Sequence, residues 1–89
     1  MREYWIGNNS MISELEGAVT CEYIVLIQEA GNRFLCESYG IKIFMQENEE
    51  SAEVWDITVN PERILELGTL LCRNAVTPCT LLDVISDWL

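Results

Sequence analysis

From Val19 to Val59 apolar and polar residues alternate with the period of two expected of strands, and from Asn60 onward the apolar spacing becomes helical. Val19 to Gln28 alternates at its start and is continuously apolar from Tyr23 to Ile27, which predicts a central strand covered on both sides at its middle. Gly31-Asn32 between apolar runs predicts a two-residue type II′ hairpin, because glycine takes its first position without strain. That turn sets Gln28 against Leu35 and Ile27 against Cys36. A second strand is predicted from Phe34 to Gln46. Its pattern changes phase: Phe34 and Cys36 share a face with Val25 and Ile27, whereas Ile41, Ile43 and Met45 are out of step with Phe34. A bulge at Tyr39-Gly40 in this hairpin would bring Ile41 and Ile43 onto the face of Tyr23 and Cys21. After the acidic loop 47–51, a third strand runs from Ala52 to Val59, with Trp55, Ile57 and Val59 on one face and Val54, Asp56 and Thr58 on the other.

Two helix starts follow, Asn60-Pro61 and Thr77-Pro78. Asn60 suits the N-cap and Pro61 the first helical position. Ile64, Leu67, Gly68 and Leu71 form the apolar stripe of a helix over 61–73, with Gly68 permitting close approach and Asn74 available for a left-handed cap. Leu81, Val84, Ile85 and Trp88 form the stripe of a second helix opened by Pro78. Residues 1–17 are distinct. Arg2 to Ile6 reads as a short strand, Gly7-Asn8-Asn9-Ser10 as a turn, and Met11 to Leu15 as a second short strand or a helical turn. The predicted architecture is α+β. Residues 18–89 form one domain, an antiparallel meander of three or more strands followed by two C-terminal helices packed on one face of the sheet.

Charge narrows the choice of partner. The 89 residues hold fifteen acids and five bases, a net charge of -10. That surface repels phosphate backbones and anionic membranes and favours basic partners, so neither nucleic acid nor membrane is expected. There is no histidine, which removes the usual proton shuttle near neutrality and any Ser-His-Asp or Cys-His arrangement within the chain. Cys21, Cys36, Cys72 and Cys79 lack the C-x-x-C spacing, and free thiols used as small apolar residues are expected ahead of disulfides or a four-cysteine metal site. No cofactor or metal motif is present. The start of the chain is too short and polar for a signal peptide, no run approaches the ~20 apolar residues of a membrane span, and a cytoplasmic location is expected.

Ser38-Tyr39-Gly40-Ile41-Lys42-Ile43, the strand ending in Asp56-Ile57, and Asn74-Ala75-Val76-Thr77-Pro78 followed by Leu82-Asp83-Val84-Ile85-Ser86-Asp87-Trp88-Leu89 resemble a family of small uncharacterised Firmicutes proteins, a domain of unknown function. The resemblance spans residues 18–89. It implies a common small fold and supplies no catalytic residues.

Individual side chains suggest little chemistry. Glu62 and Glu66, and Asp83 and Asp87, are one helical turn apart but opposite apolar stripes, so solvation is expected. Asp56 is placed to pair with Lys42 on the neighbouring strand. Trp55 is expected in the core, Trp88 at the helix–sheet interface and Trp5 at the surface. The sheet is apolar on both faces, with Ile24, Leu26 and Leu35 opposing Tyr23, Val25 and Ile27. Two helices cover one face only, so either residues 1–17 or another molecule must take the other. The expected function is therefore a non-enzymatic protein-interaction module, a protein partner or a second copy of the chain docking on Trp5, Ile24, Leu26 and Leu35. Two alternatives are an acidic mimic of nucleic acid that binds a basic protein, and a small enzyme or ligand-binding protein using Asp56, Lys42 or a cysteine.

Overall fold

The computed structural model describes residues 2–13, 17–29, 37–47 and 49–89. Strands β1 (Arg2–Ser13), β2 (Gly17–Glu29), β3 (Glu37–Met45) and β4 (Glu50–Thr58) form one antiparallel sheet in the order β1-β2-β3-β4, a plain meander. Helix α1 (Pro61–Arg73), a short 3-10 turn (Pro78–Thr80) and helix α2 (Leu81–Trp88) follow. The predicted strands-then-helices α+β order stands, with a fourth strand added at the front.

That fourth strand is built from the segment read as strand, turn and strand. Gly7-Asn8-Asn9-Ser10 continues β1 and pairs with Tyr23-Glu22-Cys21-Thr20. One of its side chains and one of its main-chain carbonyls tie it to the helix above. The Asn9 Nδ2 donates to the Cys72 carbonyl at 2.7 Å, satisfying a carbonyl at the end of α1, and the Cys72 thiol donates to the Asn8 carbonyl at 3.6 Å. A bulge between Trp5 and Gly7 makes Ile6 the extra residue. Trp5 thus pairs with Ile24 on the outer face, while Ile6 packs against the core under α1.

One face of the sheet meets the helices. Val19, Cys21, Tyr23 and Val25 of β2 and Ile41, Ile43 and Met45 of β3 pack with Ile64, Leu67 and Leu71 of α1 and Leu81 and Ile85 of α2. Asn60 caps α1 as expected, its side chain accepting from the amides of Glu62 and Arg63. Gly68 faces the sheet. A Cβ there would lie 3.1 Å from Ile6 Cγ1 and 3.7 Å from Ile41 Cδ1, so the missing side chain sets how near α1 lies.

The end of α1 differs from its reading. Asn74 is not left-handed (φ −94°), and its Nδ2 donates back to the Leu70 carbonyl at 3.0 Å. Ala75 takes the left-handed position at φ 51°. The Ala75 and Val76 amides donate to the carbonyls of Cys72 and Leu71, completing a Schellman ending. The Val76 carbonyl then accepts the Tyr23 hydroxyl at 2.8 Å, tying the link between the helices to the middle of β2. Burial raises the Tyr23 phenol well above its ordinary range, with Cys21 adding to the effect. Pro78 opens the 3-10 turn, and α2 proper begins at Leu81. Near the start of α1, the Arg63 guanidinium stacks 4.3 Å from the centre of the Trp88 ring, so α2 returns past α1.

Register corrects two sequence expectations. Ile27 pairs with Tyr39, not Cys36, and Gln28 with Ser38, not Leu35; Gly31-Asn32, Phe34, Leu35 and Cys36 lie outside the described residues. The β2–β3 ladder also runs unbroken through Gly40, which pairs with Leu26. Ile41 and Ile43 do share the face of Tyr23 and Cys21, but through this register and without a bulge in the hairpin. The irregularity sits on the other side of Gly40. Ile41 pairs with Val54 and Tyr39 with Thr58, so Trp55, Asp56 and Ile57 bow out opposite Gly40 alone. A Cβ on Gly40 would collide with the Val54 carbonyl and lie 2.9 Å from the Trp55 Cα. Glycine is needed there because the backbone of β4 occupies the side-chain space. The same excursion resets the faces of β4: Val54 and Ile57 pack against the core, whereas Val59 is exposed.

Three stability measurements test these points. Gly40→Ala must push a backbone aside and is expected to destabilise the fold by about 3 kcal/mol, read from urea unfolding. Ala75→Gly relieves a left-handed alanine and is expected to stabilise by about 1 kcal/mol, raising the melting temperature by roughly 4–8 °C. Tyr23→Phe leaves the Val76 carbonyl unpaired and is expected to cost about 1–2 kcal/mol near neutral pH. Because the folded phenol titrates above the unfolded one, its contribution is full below the ordinary tyrosine range and falls as pH rises through it, so the alkaline loss of stability should be shallower in Tyr23→Phe than in the parent.

Candidate outer-face site

The face of the sheet turned away from the helices is a mixed apolar surface. Across its middle run Trp5, Ile24 and Lys42, paired in turn from β1 to β3, and Lys42 sits opposite Glu53 of β4. The neighbouring row holds Glu3, Leu26 and Gly40. Phe44, between Glu22 and Ser51, extends the surface toward one end. Trp5 is 55% exposed, and Ile24, Phe44 and Trp55 are half-buried. No described helix lies on this face, and β1 extends the sheet sideways instead of folding over it.

Of the four residues singled out from the sequence, Trp5 and Ile24 meet as a cross-strand pair. Leu26 is on the same face but only 1% exposed, since it lies opposite Gly40, where the main chain of β4 crosses. It is floor and not contact surface. Leu35 lies outside the described residues. Periodicity in β3 was the signal that could have added Phe44. Phe44 alternates with Ile43 and Met45, and Trp55 was assigned to the core only because the β4 bulge is invisible in the alternation. Trp55 is half-buried and stands outside the core cluster.

The expected ion pair of Asp56 with Lys42 does not form as predicted. The bulge turns Asp56 to φ 54°, and its carboxylate accepts the hydroxyl of buried Ser38. This bond fixes the excursion that carries Trp55, so Asp56 has a positioning role in the sheet. The helical carboxylates Glu62, Glu66, Asp83 and Asp87 are all exposed, with Arg63 3.5 Å from Glu66.

On the helix side, a cleft of about 360 Å3 opens between the start of α1 and the strands, lined among others by Arg2, Tyr4, Ile27, Glu37, Tyr39 and Leu65. Arg2 reaches across β2 to pair with Glu37, which also accepts the Tyr39 hydroxyl at 3.1 Å. Burial, and then the bond to Glu37, raises the Tyr39 phenol. One carboxylate neutralised by a guanidinium and hydrogen-bonded by a phenol does not make an acid–base couple. Cys21 is wholly buried and its thiol is raised by that burial, which keeps it protonated and a poor nucleophile. Cys72 is half-buried and Cys79 exposed, both as free thiols, and Cys36 lies outside the described residues. Among the described residues no group of three metal-binding side chains comes together, and no helix is long and apolar enough to cross a membrane.

No curated protein and no solved structure matches the chain. A family model covers residues 2–89, β1 included, beyond the 18–89 over which the sequence resemblance was read. With that span taking in every strand and both helices, the chain belongs to the family of unknown function DUF6514.

Proposed function

We propose that this protein is a non-enzymatic interaction module whose outer sheet face receives a protein partner. The observation that carries the reading is Trp5, more than half exposed and paired with Ile24 on a face that no described helix covers. A tryptophan beside aliphatic and aromatic neighbours is the composition of an interface centre, where aromatic anchors supply most of the binding energy. Around it stand Glu3, Glu22, Glu53 and Asp56, and the whole chain has a net charge of -10, so a partner with a basic rim around an apolar centre fits best. Free thiols at Cys21, Cys72 and Cys79 suit a reducing, cytoplasmic setting.

The two other classes have less behind them. A nucleic-acid mimic needs carboxylates in a row like phosphates, and the described acids are distributed over all four strands and both helices. An enzyme needs a reactive group facing a cavity, and Asp56 is occupied by Ser38 while Cys21 is sealed in the core.

The test is capture with the immobilised full-length chain. Phe44→Ser on the outer face is expected to reduce partner recovery at least tenfold while the melting curve stays cooperative. Equal recovery by parent and variant would rule this face out as the docking surface.

A further inference from the structure

We infer that a second copy of this chain pairs antiparallel along β1, across a two-fold axis at Asn9, with Trp5 of each copy against Ile12 of the other. The inference goes beyond the interaction reading above: the second copy takes the edge of the sheet beside the outer face, a contact separate from the basic-rimmed partner proposed for that face.

The sheet has two edges, and they are not equivalent. Along β4, three residues bow out of the ladder, Asp56 has positive φ, and the strand's composition brings three acids and no lysine or arginine. These features deter strand pairing. Twelve-residue β1 has no proline or lysine, and its only charges are Arg2 and Glu3, which cancel. In a chain of net charge -10, the approach of an identical copy is opposed by its own field, and of the two edges β1 opposes it least.

The exposed apolar side chains of β1 are arranged for self-pairing. Trp5 is 55% and Ile12 87% exposed. They pair with Ile24 and Ala18 of β2, on the same outer face, although one is odd-numbered and the other even. The Ile6 bulge produces that coincidence, since without it Trp5 would share the face of Gly7 and Asn9. About an axis at Asn9, Asn8 meets Ser10 of the second copy. Once the bulge has absorbed Ile6, Trp5 meets Ile12. On the helix-facing side, Met11 meets Gly7, a large residue against none. Asn9 itself is drawn inward by its bond to the Cys72 carbonyl and leaves the axis clear. Each patch is complementary to itself, as an isologous two-fold contact requires.

The experiment is sedimentation equilibrium of the full-length chain over a concentration series. The parent is expected to reach the mass of two chains. Ile12→Glu and Trp5→Lys, each at an exposed position, are each expected to weaken association at least tenfold while the melting transition stays cooperative. Combining Trp5→Lys with Ile12→Glu is expected to restore it, because opposite charges then meet across both halves of the contact. A parent that stays at the mass of one chain overturns the inference, as does a dimer indifferent to Ile12→Glu or a combined variant that fails to recover. A dimer dissolved by Phe44→Ser but not by Ile12→Glu would place the second copy on the outer face and equally overturn the edge pairing. A monomeric parent that still captures a partner in a Phe44-dependent way would sink self-pairing and leave the interaction reading standing.

Discussion

The close seating of α1 on the sheet at Gly68 is the contact on which the rest of the molecule depends. With no side chain there, Ile6 and Ile41 reach the helix, and Ile64, Leu67 and Leu71 sink into the strands on either side. Full burial of each such side chain is worth about 1.5–3 kcal/mol, so this one interface supplies much of what a small core has to offer. The seating has consequences at both ends of α1. At its finish, Asn9 of β1 can reach the Cys72 carbonyl, and the Schellman turn aims the Val76 carbonyl at Tyr23. At its start, Arg63 meets Trp88 at the end of α2. The helical layer is therefore closed by contacts that follow from one missing Cβ.

Bulges decide which residues face which way. In β1, Ile6 as an extra residue shifts the alternation by one, so Trp5 faces outward with Ser10 and Ile12 while Ile6 packs inward on the side of Gly7 and Asn9. In β4, the excursion over Gly40 buries Leu26 on the outer face and presents Trp55 there. The core side is apolar through its middle, with Asn9 and the Arg2–Glu37 pair toward its margins. The outer side is divided between aromatic residues near β1 and β4 and charged residues between and around them.

What the amino-acid order reveals follows from the same distinction. The helices were legible because their signals are local: Asn60 with Pro61, and the spacing of Ile64, Leu67 and Leu71. The central strands were legible because burial on the helix side is strict at Cys21, Tyr23, Ile41 and Ile43. Three features depended on contacts remote in sequence. Gly7-Asn8-Asn9-Ser10 has turn composition, yet it runs as strand, paired along β2 and tied to the end of α1 by the Asn9 side chain and the Asn8 carbonyl. Gly40 marks an irregularity, but whether the bulge falls in β2–β3 or β3–β4 depends on which backbone claims the space. Ala75 adopts a conformation that favours glycine, and only the bonds of Val76 to Leu71 and Tyr23 explain it. Of the outer face, Ile24 and Phe44 could be read from alternation, while the sides taken by Trp5 and Trp55 depend on the two bulges.

The bond between Ser38 and Asp56 has an effect beyond β4 itself. By holding three residues out of line, it gives the sheet a blunt end, so strands can be added from one direction only. A ribbon with two receptive margins propagates into filaments when it self-associates, whereas a ribbon with one is satisfied after a single union. Were the opposite margin to pair with a second copy as inferred above, that hydroxyl–carboxylate contact would act as a chain terminator for assembly, separating a finite particle from a fibre.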